Sequence, residues 1–233
     1  MTAIIDPRMP CSAKARLKEI CEVIELPPFS ALDERVASHP DMLVFLSDGK
    51  LFTCNDYYKE AKEEIDKIVK LKNLELILTN DVISSEYPND VCFNAFIFSG
   101  ALIGNIGRVS DVIKAYCQGL GLTERNIRQG YAKCSTVVLG NAVITADAGI
   151  SKAVKELGGD ALLISQGQVE LEGYDCGFIG GASGIYDNSV YFCGDVYTHT
   201  DGEKIVEFCN AHGFEVISLS RDSLYDVGTI LFI

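Results

Sequence analysis

The sequence has 233 residues, 48% of them hydrophobic, so it can bury one large core, and we predict a single domain over 1–233. Its 33 acidic and 20 basic residues leave a net charge of −13, which repels phosphate backbones and anionic membranes, so neither nucleic acid nor a membrane is an expected partner. No apolar run approaches the roughly 18 residues of a transmembrane helix, and the start MTAIIDPRMP does not have the features of a secretion signal. We therefore expect a cytoplasmic protein.

The nine cysteines are odd in number and include no CxxC pair, and several lie in apolar segments such as VCFNAFIF. Free cysteine behaves as a small hydrophobic residue, so most of them are predicted to be reduced core residues. His39, His199 and His212 have no cysteine nearby at the spacing of zinc ligands. We expect neither a metal nor a cofactor.

The predicted elements begin with a helix and a strand in SAKARLKEICEVIEL. Four hairpins follow, with the two-residue turns Asp48-Gly49, Ser99-Gly100, Gly140-Asn141 and Asp187-Asn188. After each hairpin comes a segment of helical periodicity, and often a further strand such as LELILTN, DALLISQ or FEVISLS. The repeated unit is therefore ββαβ.

The two ends of the chain form a fifth, split unit in this interpretation. The first helix begins it and the strand-like YDVGTILFI at the end completes it, so that a ring closes and hides sheet edges. The approximate modules are 1–41 with 220–233, 42–86, 87–133, 134–180 and 181–219.

Several segments resemble an uncharacterised bacterial family: HPDM at 39–42, YPNDVCFNA at 87–95, TADAGI at 145–150, GYDCGFIGGASG at 173–184, and FCGD. That family has the pentein, or guanidine-modifying-enzyme, fold, an α/β-propeller of five ββαβ modules around a pseudo-fivefold axis. Arginine and agmatine deiminases, amidinotransferases, dimethylarginine hydrolases and a ribosome anti-association factor share it. The resemblance implies this fold over nearly the whole chain.

The catalytic relatives attack a guanidinium carbon with a cysteine thiolate, move protons with a histidine and hold the cation with carboxylates. Their nucleophile lies near the chain end, whereas SRDSLYDVGTILFI contains no cysteine. The resemblance thus implies a central pocket for a small polar or cationic ligand, with a relocated nucleophile if the protein is an enzyme.

Cys176 is the first candidate nucleophile, because the glycines around it let backbone amides approach a ligand. The alternative is a small residue at a tight module junction. Cys134 is the second candidate, since the adjacent Lys133 could lower a thiol pKa, although neighbouring strand residues face opposite sides.

His39 with Asp41 is the best acid–base pair by sequence, and His199 with Asp201 is the second. For the first pair, the alternative is a histidine that caps the following strand or turn. For the second pair, the alternatives are a helix N-cap at Asp201 and a simply exposed His199.

Carboxylates after the hairpins are candidate cation ligands: Asp56, Asp147 and Asp195, with Asn105 at the matching place of another module. Helix capping explains Asp147 and Asp195 equally well. Ahead of another hairpin, Asp90 could pair with a cation and Asn94 could offer a donor and an acceptor, or Asp90 could form an Asx turn after Pro88.

We therefore expect a pentein-like protein that binds, and hydrolyses through a cysteine, a small guanidino or amide nitrogen compound in a central pocket. The alternative is a non-catalytic module of the same fold that binds a ligand or a protein partner.

Overall fold

The computed structural model describes residues 1–233 and contains fifteen short strands and seven α-helices. The strands are β1 (Thr2–Ile5), β2 (Glu22–Glu25), β3 (Phe45–Ser47), β4 (Lys50–Cys54), β5 (Glu75–Thr79), β6 (Phe96–Phe98), β7 (Ala101–Gly104), β8 (Thr123–Asn126), β9 (Thr136–Leu139), β10 (Ala142–Thr145), β11 (Asp160–Leu163), β12 (Ser183–Tyr186), β13 (Ser189–Phe192), β14 (Glu215–Ser218) and β15 (Leu231–Phe232). The helices are α1 (Cys11–Ile20), α2 (Pro40–Leu43), α3 (Asn55–Glu60), α4 (Lys62–Lys72), α5 (Asp111–Gly119), α6 (Ala148–Glu156) and α7 (Gly202–Ala211), with a 3₁₀ turn at Val196–Thr198.

The strands form five separate three-stranded sheets, one for each module. In four of them a hairpin pairs two strands antiparallel, and the strand after the helix joins the second hairpin strand in parallel: β3-β4-β5, β6-β7-β8, β9-β10-β11 and β12-β13-β14. The fifth sheet, β15-β1-β2, pairs the two ends of the chain. The predicted α/β-propeller of five ββαβ modules, closed by the termini, is confirmed.

The hairpin turns have the predicted two-residue loops. Ser47 pairs with Lys50, for example, and Asp48 and Gly49 between them both have positive φ, at 44° and 73°. Two consecutive positive φ angles match the right-handed twist of the flanking strands. The turn chemistry therefore located these hairpins correctly.

Strand β1 is among the elements that the sequence pattern does not predict. Its residues TAII are all buried, because β1 lies in the middle of its sheet between β15 and β2. A four-residue segment buried on both faces shows no alternation of apolar and polar residues, so periodicity cannot reveal it.

None of the helices combines the length and the apolar character that a bilayer crossing requires.

Each module begins with a loop that enters its first sheet strand, and these five inner loops, 39–44, 90–95, 131–135, 178–182 and 226–230, meet one another. Five hydrogen bonds join them in a closed circle: Asp41 N to Gly228 O (3.0 Å), Thr229 N to Gly181 O (2.9 Å), Gly181 N to Cys134 O (2.7 Å), Lys133 N to Asn94 Oδ1 (2.8 Å) and Asn94 Nδ2 to Asp41 O (3.4 Å). The fold thus gathers side chains from distant parts of the sequence at one point.

Candidate functional site

The inner loops hold a group of buried polar side chains, which we call the central cluster: His39, Asp41, Asn94, Cys134, Asp226 and Thr229. Each of these residues is at most 3% exposed. Four of the five inner loops contribute a side chain to it. Buried polar groups need partners, so the contacts within the cluster indicate its chemistry.

Cys134 and Asp41 are in direct contact. The thiol of Cys134 donates to Asp41 Oδ2 across 2.8 Å, and the hydroxyl of Thr229 donates to the same oxygen across 2.7 Å. The other oxygen, Asp41 Oδ1, has no hydrogen-bond partner. No basic side chain lies within salt-bridge distance of this carboxylate, although Lys133 lines the same cavity and its charge interacts with Asp41 at longer range. Buried carboxylates are normally paired with a cation or bound to a metal ion, so Asp41 has unused capacity for a positive charge.

The thiol itself is protonated at rest. Burial, together with the nearby carboxylates of Asp41 and Asp226, raises the pKa of Cys134 well above its ordinary value. Asn94 fixes the position of this thiol, because its side-chain amide contacts Sγ at 3.3 Å and its oxygen accepts from Cys134 N at 3.1 Å. Nucleophilic reactivity at this cysteine therefore requires a change in the local charge.

His39 lies between two carboxylates. Its Nδ1 is 3.9 Å from Asp226 Oδ1 and its Nε2 is 3.8 Å from Asp6 Oδ2. The imidazole makes no capping hydrogen bond to helix α2, although His39 is the residue that precedes it. Its backbone lies against Gly228, where a Cβ on the glycine would approach His39 Cβ to 2.2 Å.

The two carboxylates beside His39 differ in their partners. Asp6 binds the guanidinium of Arg8 through both of its oxygens. Asp226 instead accepts backbone hydrogen bonds from Phe178 N (2.8 Å) and Gly228 N (2.9 Å). Burial raises the pKa of Asp226, and the neighbouring His39 opposes this effect. A bound cation near Asp226 would favour its ionised form.

The glycine-rich stretch GYDCGFIGGASG forms one wall of the cluster. A Cβ on Gly181 would lie 2.0 Å from Asp226 Oδ1, and a Cβ on Gly180 would lie 2.5 Å from the backbone oxygens of Lys133, Cys134 and Thr136. The Gly180 carbonyl also accepts from Thr229 Oγ1 at 3.1 Å. These glycines therefore allow the loops to approach one another closely.

Two cavities reach the cluster. The first, of about 100 Å³, is lined by Asp6, Arg8, Arg35, His39, Leu171, Glu172, Tyr225, Asp226 and Val227, and we call it the acidic cavity. The second, of about 330 Å³, is mainly apolar and is lined by Asp41, Val44, Phe45, Leu46, Ser47, Phe93, Ala95, Phe96, Ile97, Lys133, Val138 and Leu231. His39 and Asp226 face the first cavity, and Asp41 faces the second.

Cys176 lies elsewhere. It is half-buried and lines a separate cavity of about 250 Å³, the lateral cavity, together with His199, Asp147 and Ser135. His199 is held there by a hydrogen bond from Asp201 N to its Nδ1 (2.9 Å), and burial lowers the pKa of this histidine. The two acid–base pairs predicted from sequence thus lie at different places. His39 and Asp41 are in the central cluster, whereas His199 lines the lateral cavity.

The carboxylates after the hairpins serve helix termini or the surface. Asp147 Oδ1 accepts from Ile150 N (2.8 Å) at the start of α6, and Asp195 Oδ1 accepts from Tyr197 N (3.0 Å) at the 3₁₀ turn. Asp56 is exposed and pairs with Lys59. These contacts match helix capping, which is the alternative interpretation for Asp147 and Asp195.

The remaining candidates ahead of the second hairpin have separate places. Asn94 is in the central cluster. Asp90 is buried and accepts from the Tyr131 hydroxyl at 2.5 Å, and burial raises the pKa of its carboxyl group. Asp90 therefore belongs to an aromatic neighbourhood beside the cluster, not to the cluster itself.

Asp226, Thr229 and Asp6 are site residues that the sequence alone does not single out. Asp226 and Thr229 lie in YDVGT, which by its pattern is only the approach to a strand. The sequence nevertheless contains a usable signal. Asp226 and Thr229 lie around Gly228 just before the apolar strand β15, as Asp41 and Asn94 lie just before β3 and β6.

The cluster also offers metal ligands. One donor atom each from His39, Asp41 and Cys134 lie within 4.8 Å of one another, and all three residues are buried. A nitrogen, an oxygen and a sulfur donor suit zinc-like ions, which bind these atom types in tetrahedral sites.

Comparison with protein families finds one match, described as a family of unknown function (DUF6873), over residues 4–231. A comparison with curated protein sequences finds no match.

Solved structures of the same fold include dimethylarginine dimethylaminohydrolase from Pseudomonas aeruginosa complexed with citrulline, at 12% identity, with a TM-score of 0.59, 94% of this chain and 91% of that chain covered. An amidinotransferase of saxitoxin biosynthesis from Microseira wollei is 12% identical, with a TM-score of 0.53 and coverages of 94% and 88%. The agmatine deiminase of C. jejuni is 11% identical, with a TM-score of 0.52 and coverages of 94% and 76%. At this identity the similarity shows the fold.

Proposed function

The chain belongs to this family of unknown function, and we propose that it binds a small cationic guanidino or amidino compound at the central cluster and cleaves its C–N bond through Cys134. The observation that carries this proposal is the contact between the Cys134 thiol and Asp41, a buried carboxylate with no cationic partner, beside His39. The structural neighbours named above act on or bind guanidino compounds or citrulline by their descriptions, which supports the substrate class.

Charge explains why a cation suits this place. Asp41 and Asp226 are both buried without a Lys or Arg partner, and burying unpaired carboxylates is unfavourable. A planar guanidinium carries several N–H donors that match carboxylate oxygens, and Asp41 Oδ1 is free to accept one of them. A neutral urea of the same shape offers donors but no charge, so it would bind more weakly.

The same cation would activate the thiol. The pKa of Cys134 is raised by burial and by two carboxylates, so at neutral pH the sulfur keeps its proton. A positive charge within a few ångströms favours the thiolate and lowers that pKa. Asp41 is placed to accept the proton, since the thiol already donates to it.

The reaction then proceeds in two balanced steps. Cys134 Sγ bonds to the guanidinium carbon, a C–N bond breaks, and the leaving amine takes up a proton from the protonated His39. Water then adds to the same carbon with loss of its proton to neutral His39, the C–S bond breaks, and the sulfur takes back the proton that Asp41 had accepted. The urea product leaves after giving its excess proton to the released amine or to solvent. His39 thus alternates as acid and base, with Asp226 Oδ1 3.9 Å from its Nδ1.

A matched pair of ligands tests this proposal. Alkylguanidines and the corresponding alkylureas, in a panel of short chains with and without a carboxylate, are compared by calorimetric binding and by release of ammonia or amine. We expect binding and turnover for at least one guanidine and at least tenfold weaker binding of its urea, which corresponds to about 1.4 kcal/mol.

Cys134→Ser is the diagnostic variant and Cys176→Ser is its control. We expect Cys134→Ser to retain guanidine binding and to lose turnover, because serine keeps the donor to Asp41 but is a poor nucleophile without a strong base. Turnover that survives in Cys134→Ser, or that is lost in Cys176→Ser, would contradict the assignment of the nucleophile.

Binding without catalysis is the second candidate function. Cys134 is only 3% exposed and lines neither of the two cavities at the cluster. If guanidines bind without release of amine or ammonia, the protein is a ligand-binding module of the same fold.

A further inference from the structure

We propose that His39, Asp41 and Cys134 also form a binding site for one thiophilic divalent metal ion of the zinc type. The inference concerns binding alone and does not require that the protein cleaves a C–N bond. It was not expected from the sequence, because the three residues are separated by up to 95 positions and follow no ligand-spacing motif.

The geometry is close to that of a metal site. In a tetrahedral zinc site with ordinary bond lengths, ligand atoms are separated by roughly 3.3 to 3.5 Å. One donor atom from each of the three residues lies within 4.8 Å of the other two, and Cys134 Sγ already contacts the Asp41 carboxylate, at 2.8 Å from Oδ2. Side-chain rotations that move donor atoms by about 1 Å or less would reach those bond lengths.

The charge balance supports a dication. Asp41 has no cationic partner, and its Oδ1 is buried without a hydrogen bond. Asp226, a further buried carboxylate, lies 3.9 Å from His39. Two carboxylates and one thiolate carry three negative charges, and a divalent ion would neutralise most of them in a place that excludes water.

Neighbouring groups would orient the ligands. Thr229 Oγ1 donates to Asp41 Oδ2, which leaves Oδ1 for the metal, and the Asn94 amide contacts Cys134 Sγ. Hydrogen bonds of this kind fix ligand orientation around metals, and their loss typically weakens binding by about 10- to 100-fold.

Metal binding would exchange one proton. The Cys134 S–H bond breaks, its proton leaves to the buffer, and the sulfur bonds to the metal, while His39 and Asp41 bind through lone pairs. No oxidant or reductant takes part. At least the sulfur proton is therefore released for each ion bound, together with the imidazole proton wherever His39 is protonated beforehand.

Cobalt(II) titration of the chelator-treated full chain tests the proposal. We expect one equivalent to bind, with a thiolate-to-cobalt charge-transfer absorption, release of at least one proton, and displacement by zinc. Cys134→Ser should abolish the charge-transfer band, and Thr229→Val should weaken binding by about 10- to 100-fold. Cys176→Ser is the matched control and should bind cobalt as the wild type does.

Absence of the band in the wild type, or its persistence in Cys134→Ser, overturns the proposal. If Cys134→Ser does not fold, alkylation of the wild type gives the answer: zinc should protect Cys134 and leave Cys176 unprotected, and equal labelling with and without zinc overturns it. The guanidine measurements are made in chelator, so a failure of metal binding and a failure of the proposed hydrolysis are separate results.

Discussion

At the scale of single residues, burial determines how readily the titratable groups ionise and react. Asp41, Asp226 and Cys134 are all buried in one cluster. Burial raises the pKa of Asp226 and of Cys134, so a nearby cation would favour the charged forms of these two groups. Cys176 is half-buried in the lateral cavity, outside this arrangement. The second candidate nucleophile from the sequence therefore has the better surroundings, and we assign it the central role.

His199 provides a pH-dependent prediction at this scale. Burial lowers the pKa of His199 in the folded protein, while the unfolded chain titrates near its ordinary value of about 6.5. Below about pH 6.5 the unfolded state binds the extra proton first, so the stability that the neutral imidazole contributes is present above this pH and is lost as the pH falls.

We expect the free energy of unfolding of the wild type to fall between pH 7.5 and pH 5 by more than that of His199→Asn. Asparagine can accept the hydrogen bond from Asp201 N but does not titrate. Urea unfolding of both proteins at the two pH values measures the difference. Parallel losses in the two proteins would refute the role assigned to His199.

At the scale of elements, the inner loops are held together by close backbone packing. The loop 178–182 contacts the loop that carries Cys134 and the loop that carries Asp226 and Thr229, and glycines make both contacts possible. The stretch GYDCGFIGGASG thus supports the site through its glycines, which is one of the two interpretations of this segment from sequence.

Gly180→Ala tests this packing. Its methyl group would lie 2.5 Å from three backbone oxygens, which cannot move independently, so we expect a loss of about 3 kcal/mol in unfolding free energy. Gly119→Ala is the control, because this exposed glycine ends α5 with open space around it, and a change within about 0.5 kcal/mol is expected. Denaturant unfolding compares them, and equal stabilities of the two variants would contradict the packing account.

At the scale of the whole molecule, ring closure creates the site. The pairing of β1 with β15 brings loop 226–230 beside loop 39–44, so residues at opposite ends of the sequence share one hydrogen-bond network. Thr229 and Asp41, which are 188 positions apart, bond at 2.7 Å for this reason. The chain as a whole carries a net charge of −13, which favours the approach of cations.

The sequence predicts the architecture better than the site, for a physical reason. Hairpin turns such as Asp48-Gly49 and the helical periodicities are local signals, and five repeats of them indicate the propeller. The contact between Cys134 and Asp41 depends on how the modules close into a ring, and no local pattern encodes it. His39 and Asp41 can be found because they are near each other in sequence. Asp226 and Thr229 have partners far away in the sequence, so their only signal is a polar pair beside a glycine before an apolar strand.

The proposed function requires that a positive charge at Asp41 activates Cys134, and alkylation with two matched reagents measures this activation. 2-Chloroacetamidine carries an amidinium group, and 2-chloroacetamide is its neutral counterpart. Rates at Cys134 and Cys176 across pH 6 to 10 are read by mass spectrometry and divided by those of a free reference thiol.

We predict that the cationic reagent labels Cys134 at neutral pH at least tenfold faster, relative to the reference thiol, than the neutral reagent does, because the raised pKa of Cys134 leaves little thiolate until a cation enters. The preference should disappear in Asp41→Asn and should be absent at Cys176. Equal relative rates of the two reagents at Cys134, or a preference that survives in Asp41→Asn, would contradict the account.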